Sequence, residues 1–179
     1  MLNLPNFLSV ARIVLIPLFV IALINQLFGW ALFIFVAAAV TDAVDGLLAR
    51  LLHQRTILGS YLDPAADKLL TATSFVTLAI LGILPGWLAV IVISRDVIII
   101  LGIMILFLTS HTLEIRPSLA SKLTTTLQFC TIVFTLVFKY AFQVPFLIDF
   151  LIWGTAVATV ISGLQYIGKG IRIFNQGAT

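Results

Sequence analysis

Charge is what this sequence has least of. Ten basic and seven acidic residues make up 9% of its 179 positions, against roughly 25% in an average soluble chain. So sparse a set cannot coat a water-facing globule, which excludes a soluble single domain. The same composition is too apolar for a disordered chain. The net charge of +3 is too small to coat a polyanion, so nucleic acid is excluded as a partner. Cysteine occurs once, at Cys130, which excludes an intrachain disulfide and a cysteine-built metal cluster. Internal repeats, low-complexity tracts and a second domain are also missing. What is abundant is apolar side chain, 61% of the sequence, where roughly 45–50% is usual. The chain therefore reads as an integral membrane protein, with residues 1–179 forming a single transmembrane domain.

A membrane-crossing helix needs about 20 mainly apolar residues. Six stretches qualify: about Phe7–Leu27, Ala31–Leu52, Tyr61–Leu81, Leu88–Leu108, Ser121–Phe142 and Phe146–Tyr166. The breaks between them hold the expected punctuation, including Phe28-Gly29-Trp30, Pro85-Gly86 and Gln143-Val144-Pro145. Trp30 and Trp87 stand at span edges as interfacial anchors would. The first stretch is no cleaved leader, because no small-x-small site follows it and the apolar pattern resumes at once. The fold class is thus all-α, a bundle of six transmembrane helices. With six spans, both termini share a side with the second-to-third and fourth-to-fifth connections. That side holds Arg12, Arg50, Arg55, Lys68, Arg116, Lys122, Lys169 and Arg172; only Arg95 and Lys139 fall elsewhere. The positive-inside rule then places both termini in the cytoplasm.

Four of the seven carboxylates crowd into 26 positions: Asp42, Asp45, Asp63 and Asp67. Asp42 and Asp45 are three apart and Asp63 and Asp67 four apart, so each pair shares a face of its helix. The short connection between the second and third helices makes them antiparallel neighbours whose acidic faces can meet. Four ionised carboxylates repel strongly at low dielectric. Arg50 and Lys68 supply two positive charges at most, and both can snorkel to the interface. One or two divalent metals resolve the repulsion better. An all-oxygen donor set suits hard ions, Mg²⁺ or Mn²⁺. His53 and His111 do not share the acidic faces and are not assigned as ligands. Pairing with Arg50, Arg55 and Lys68 at headgroup level would explain one such acid, but hardly four in this spacing. Gly46 and Ala49 lie near the Asp45 face, and Gly59 is expected to precede the third helix. These small residues leave room for a bulky ligand, although close helix packing favours them too.

The segment Asp42-Ala-Val-Asp45-Gly46-Leu-Leu-Ala49-Arg50, then eight residues to Gly59, three to Asp63 and three to Asp67, resembles the signature of the CDP-alcohol phosphotransferase family. That signature is D-x₂-D-G-x₂-A-R-x₈-G-x₃-D-x₃-D, and every fixed position is matched. Two branches are most similar. Pro5-Asn6-Phe-Leu-Ser-Val-Ala-Arg12 resembles the amino-terminal pattern of both phosphatidylglycerolphosphate synthases and eukaryotic-type cardiolipin synthases. Three further stretches lean toward the second: His53-Gln54-Arg55-Thr-Ile-Leu-Gly59-Ser60, which departs from that branch at His53 and Thr56, Ile93-Ser94-Arg95-Asp96-Val97, and Arg116-Pro117-Ser118 through Ser121-Lys122 to Gln128. In the first branch Gly-Lys usually stands where this chain has Ser121-Lys122.

The resemblance implies a reaction in phospholipid biosynthesis, in which an alcohol attacks the phosphatidyl phosphorus of CDP-diacylglycerol and CMP leaves. It implies Asp42, Asp45, Asp63 and Asp67 as ligands of two Mg²⁺ or Mn²⁺ ions, with Asp67 also the catalytic base. Gly46, Ala49, Arg50 and Gly59 would border the nucleotide. Arg95, Arg116 and Lys122 are the acceptor-binding expectation, with an ion pair to Asp96 the structural alternative for Arg95. Gln128 is expected to hydrogen-bond across the bundle. Lys139 and Asp149 read as solvated. The preferred acceptor is phosphatidylglycerol, giving cardiolipin, with glycerol-3-phosphate as the alternative. The resemblance further implies a homodimer, in a bacterial inner membrane, with its site at the cytoplasmic face. Two other classes compete: a divalent-cation transporter using the acids for permeation, and a structural membrane protein.

Overall fold

The computed structural model describes the chain over residues 4–51, 57–108, 119–140 and 145–176, and its side chains over 11–41, 65–102, 104, 120–140 and 146–170. These residues form six helices: α1 (Leu4–Ile24), α2 (Phe28–Leu51), α3 (Ile57–Ile80), α4 (Gly86–Leu108), α5 (Leu119–Tyr140) and α6 (Pro145–Gln176). No strand occurs among the described residues. Helix is the expected outcome for such long apolar runs, because it satisfies every backbone polar group within its own segment.

Boundaries differ from expectation in three informative places. The Phe28-Gly29-Trp30 break is the first turn of α2, and the joint falls earlier, at Asn25–Leu27. There Gln26 takes φ 57°, Gln26 N–H bonds to the Leu23 carbonyl and Leu27 N–H to that of Ala22. This pair of bonds is a Schellman cap. Gly82 repeats it after α3 at φ 67°, with Gly82 N–H on Ala79 and Ile83 N–H on Leu78. Gly59 lies inside α3 rather than before it, in the first turn, where glycine disturbs few intrahelical bonds. Finally, α6 continues ten residues past Tyr166, through Gly168 and Gly170. Neither glycine takes a left-handed conformation there, so neither acts as a C-cap.

The chain divides into two compact units, Met1–Leu84 with Ile132–Val144, and Pro85–Thr131 with Pro145–Thr179. In the first unit α1 packs against both α2 and α3. Its core is mainly apolar: Phe19 and Phe35 are fully buried, their rings 5.7 Å apart, and Leu23, Phe75 and Leu78 are buried with them, alongside Ser74, Thr77 and Thr135. Gly29 leaves the space that the Tyr140 ring takes; a Cβ there would stand 2.9 Å from Tyr140 Cε2. Arg12 is buried in this unit, at 1% exposure.

The second unit has a mixed core, in which Leu88, Val92 and Ile152 are buried together with many polar side chains. α4 packs against α6, and Arg95, Asp96, Thr124, Gln128, Thr131, Thr155, Thr159 and Ser162 are all buried. Phe150, Trp153, Val157 and Leu164 are exposed on α6. So many polar side chains inside, with large apolar ones outside, depart from the pattern of a water-soluble domain. By length and composition, Ala120–Tyr140 and Phe146–Gly170 are long and apolar enough to cross a membrane, and Ala11–Ile24 and Phe28–Thr41 are shorter apolar helices.

Candidate functional site

The acids stand on two helices of the first unit. Asp42 and Asp45 occupy α2 nine and six residues before its end at Leu51; Asp63 and Asp67 occupy α3 six and ten residues after its start at Ile57. At 1.5 Å per residue, all four fall about 9–15 Å from the helix ends that the 52–56 connection joins. Depth along the two helices therefore matches, as the spacing of the motif requires. α1 packs on both, and Arg12 lies eight residues inside α1, at about the same depth, 12 Å from its start.

Asp67 is half-buried beside the fully buried Ala66. Its carbonyl accepts the Thr71 hydroxyl at 3.0 Å, a back-bond that keeps a polar side chain satisfied within an apolar helix. The side chains of Asp42, Asp45, Gly46, Ala49, Arg50, Gly59 and Asp63 lie outside the described ones, and Arg116 lies outside the described residues. The donor set itself fits a hard divalent cation: four carboxylates at i, i+3 and i, i+4 positions supply oxygen ligands and negative charge.

Arg95, from α4, is the centre of the second unit. It is 4% exposed. Nη1 donates to Asp96 Oδ1 at 2.7 Å, and Nη2 donates to Ser121 Oγ at 2.7 Å and Ser162 Oγ at 2.9 Å. The guanidinium carbon also sits 5.8 Å from the centre of the Tyr166 ring, within cation–π range. Gly163 lets α6 approach: a Cβ there would lie 3.6 Å from Arg95 Cγ. Arg95 thus ties α4 to α5 and α6 while its charge is offset by Asp96. The ion pair expected as one alternative for Arg95 is formed. Lys122 is exposed on α5, next to Ser121.

Gln128 does bond across helices, its Nε2 reaching Thr159 Oγ1 at 3.4 Å. Around it, Thr124 donates to the Ala158 carbonyl at 2.9 Å and the hydroxyls of Thr131 and Thr155 meet at 2.7 Å. Sequence reasoning missed Ser162, Gly163 and Tyr166 as partners of Arg95. The adjacent Ser162-Gly163 in an apolar run was the available signal, since small and hydroxyl residues mark helix contacts in membranes.

Comparison with known proteins shows the family. The profile of CDP-alcohol phosphatidyltransferases matches residues 2–161. A Mycobacterium tuberculosis protein named "Probable phosphatidylglycerophosphate synthase" is 33% identical, covering 95% of this chain and 82% of its own length. The Bacillus subtilis CDP-diacylglycerol–glycerol-3-phosphate 3-phosphatidyltransferase is 31% identical, covering 94% and 95%. The human cardiolipin synthase (CMP-forming) is 33% identical, covering 92% of this chain and 60% of its own length. The chain belongs to the CDP-alcohol phosphatidyltransferase family. It is therefore an enzyme of phospholipid biosynthesis, which sets aside the transporter and structural classes.

Proposed function

We propose that this enzyme transfers the phosphatidyl group of CDP-diacylglycerol to phosphatidylglycerol, forming cardiolipin and CMP. Residues 1–179 act as one domain, with six transmembrane helices, both termini in the cytoplasm and the acids near that face of a bacterial inner membrane. Asp42, Asp45, Asp63 and Asp67 hold Mg²⁺ or Mn²⁺, with two ions as the number that four carboxylates best balance. When bound, the ions neutralise the diphosphate and the departing CMP. Asp67 accepts the proton of the acceptor hydroxyl as its oxygen bonds to the phosphatidyl phosphorus, and the bond from phosphorus to the CMP oxygen breaks. Gly46, Ala49 and Gly59 leave room for the nucleotide, and Arg50 pairs with its phosphates or braces a ligating carboxylate. Arg95, Arg116 and Lys122 serve the acceptor, and two copies of the chain form a homodimer.

The acceptor reading is carried by the Arg95 cluster. A glycerol-3-phosphate dianion calls for a dense and uncompensated basic pocket. Arg95 is paired with Asp96, and two of its donors are given to Ser121 and Ser162. That arrangement suits a singly charged phosphodiester better. Glycerol-3-phosphate is the second reading, favoured by the similarity to the Bacillus subtilis enzyme over nearly the whole of both chains. Purified protein supplied with CDP-diacylglycerol and each acceptor in turn separates them. CMP release with phosphatidylglycerol, and little with glycerol-3-phosphate, is expected.

A further inference from the structure

The Thr124 hydroxyl on the Ala158 carbonyl and the Thr131–Thr155 hydroxyl pair fix the register of α5 against α6. Along this seam runs an open groove of about 460 Å³, walled by Ala120, Leu123 and Leu127 of α5 and by Phe150, Val157 and Ile161 of α6. The register sets Ala120 and Ile161 at one end and Phe150 at the other. From Phe150 to Ile161 α6 rises about 16 Å, which is one leaflet of a hydrocarbon layer about 30 Å thick. Spread over that length, 460 Å³ is a channel about 6 Å across, half the 10–12 Å diameter of a helix with its side chains. It is too narrow for a helix of a second copy and fits a single extended hydrocarbon chain. Gly154 also lines the groove. Small residues in membrane helices usually let a neighbouring helix approach, but a Cβ at Gly154 would meet nothing within 4 Å. Glycine weakens a helix interior, and no described residue needs the space it leaves; its effect is to keep the groove open. The two ends differ in charge. Beyond the Ala120–Ile161 end stand exposed Lys122, in the first turn of α5, and exposed Lys169, about two turns past Ile161. Beyond the Phe150 end stands exposed Asp149.

We infer that this groove seats one acyl chain of a resident anionic phospholipid, with the headgroup at the Lys122 and Lys169 end. Both lysines can lay their apolar stems along the helices and present their ammonium groups to a lipid phosphate. The opposite order, with the headgroup beside Asp149, would set like charges together. The groove lies in the unit that does not carry the acids. The lipid acts there as a packing partner of α5 and α6 rather than as a reactant, so the inference is independent of the acceptor reading.

The test uses the full chain in detergent, carrying Trp30→Phe so that the remaining tryptophans report on the groove: Trp153 lines it, and the Trp87 ring lies 5.3 Å from that of Trp153. Phosphatidylserine, which offers no acceptor hydroxyl, and phosphatidylcholine are added with brominated acyl chains, which quench nearby tryptophan. Phosphatidylserine should reach half-quenching at a concentration at least fivefold below that of phosphatidylcholine. Gly154→Phe fills the groove and should raise the phosphatidylserine value at least tenfold. Gly154→Leu, a smaller filling, should raise it less while unfolding at the wild-type temperature. Lys122→Gln combined with Lys169→Gln should remove the advantage of phosphatidylserine. Equal values for the two lipids before any groove substitution, or an unchanged phosphatidylserine value in both Gly154 variants, mean that only exchangeable surface lipid is present and overturn the inference. Unchanged quenching with conversion of a dimer to monomer in Gly154→Phe, read by light scattering, assigns the groove to a second copy and overturns it as well.

Discussion

Asp96 shows how tightly a single side chain can be bound to its neighbour's chemistry. It holds the charge of the buried Arg95 across 2.7 Å. Removing one partner of a buried pair strands the other, at a cost of about 3–5 kcal/mol. Asp96→Ala should therefore unfold at a markedly lower temperature, measured by thermal denaturation in detergent, whereas exposed Lys122→Ala should not. The four acids behave differently. Asp42→Ala, Asp45→Ala, Asp63→Ala and Asp67→Ala should each abolish CMP release while the protein still inserts and purifies, and near-wild-type turnover in any of them would count against its assignment. The helices that carry these acids were legible in the sequence, because spacings of three and four within long apolar runs are helical periods. The partners of Arg95 were not. Ser121 and Ser162 lie 41 positions apart, and only the packing of the helices brings both to one guanidinium.

At the scale of elements, the number and order of helices followed from apolar run length, and their ends did not. The loop between α1 and α2 was misplaced by about one turn. A Schellman cap is made by backbone bonds, and here its left-handed position is filled by Gln26 rather than the usual glycine. Left-handed geometry costs a side-chain-bearing residue about 1–2 kcal/mol. Gln26→Gly should therefore raise stability by up to about 1 kcal/mol, seen as a higher unfolding midpoint with activity unchanged. Gly82 at the matching position after α3 already has this relief. In the α5–α6 seam, Thr155→Val removes the hydroxyl that meets Thr131 at 2.7 Å and keeps the volume. Interhelical bonds of this kind average about 0.6 kcal/mol, so a shift of that size is expected, with catalysis retained.

For the whole molecule, the division of chemistry follows the division into units. The acids belong to the unit built on α1, α2 and α3, and the Arg95 cluster to the unit built on α4, the first half of α5 and α6. Chelating divalent ions should stop CMP release with either acceptor, and adding Mg²⁺ or Mn²⁺ should restore it; transfer that persists through chelation would remove the metal from the account. Composition announced a membrane protein, but not that its two interiors would differ in degree, the first dominated by phenylalanine and leucine, the second richer in buried polar side chains. Apolar content averages over the chain and hides such segregation.

α6 is 32 residues long, about 48 Å at 1.5 Å per residue, while the hydrocarbon layer is about 30 Å thick. If its first five or six turns span that layer, its last turns stand among lipid phosphates as a rigid stalk, with Lys169 beside the Tyr166 ring at the foot. A thicker bilayer would draw the stalk in and a thinner one push it out. Because the Tyr166 ring also lies 5.8 Å from the Arg95 guanidinium, bilayer thickness has a mechanical route to the Arg95 cluster.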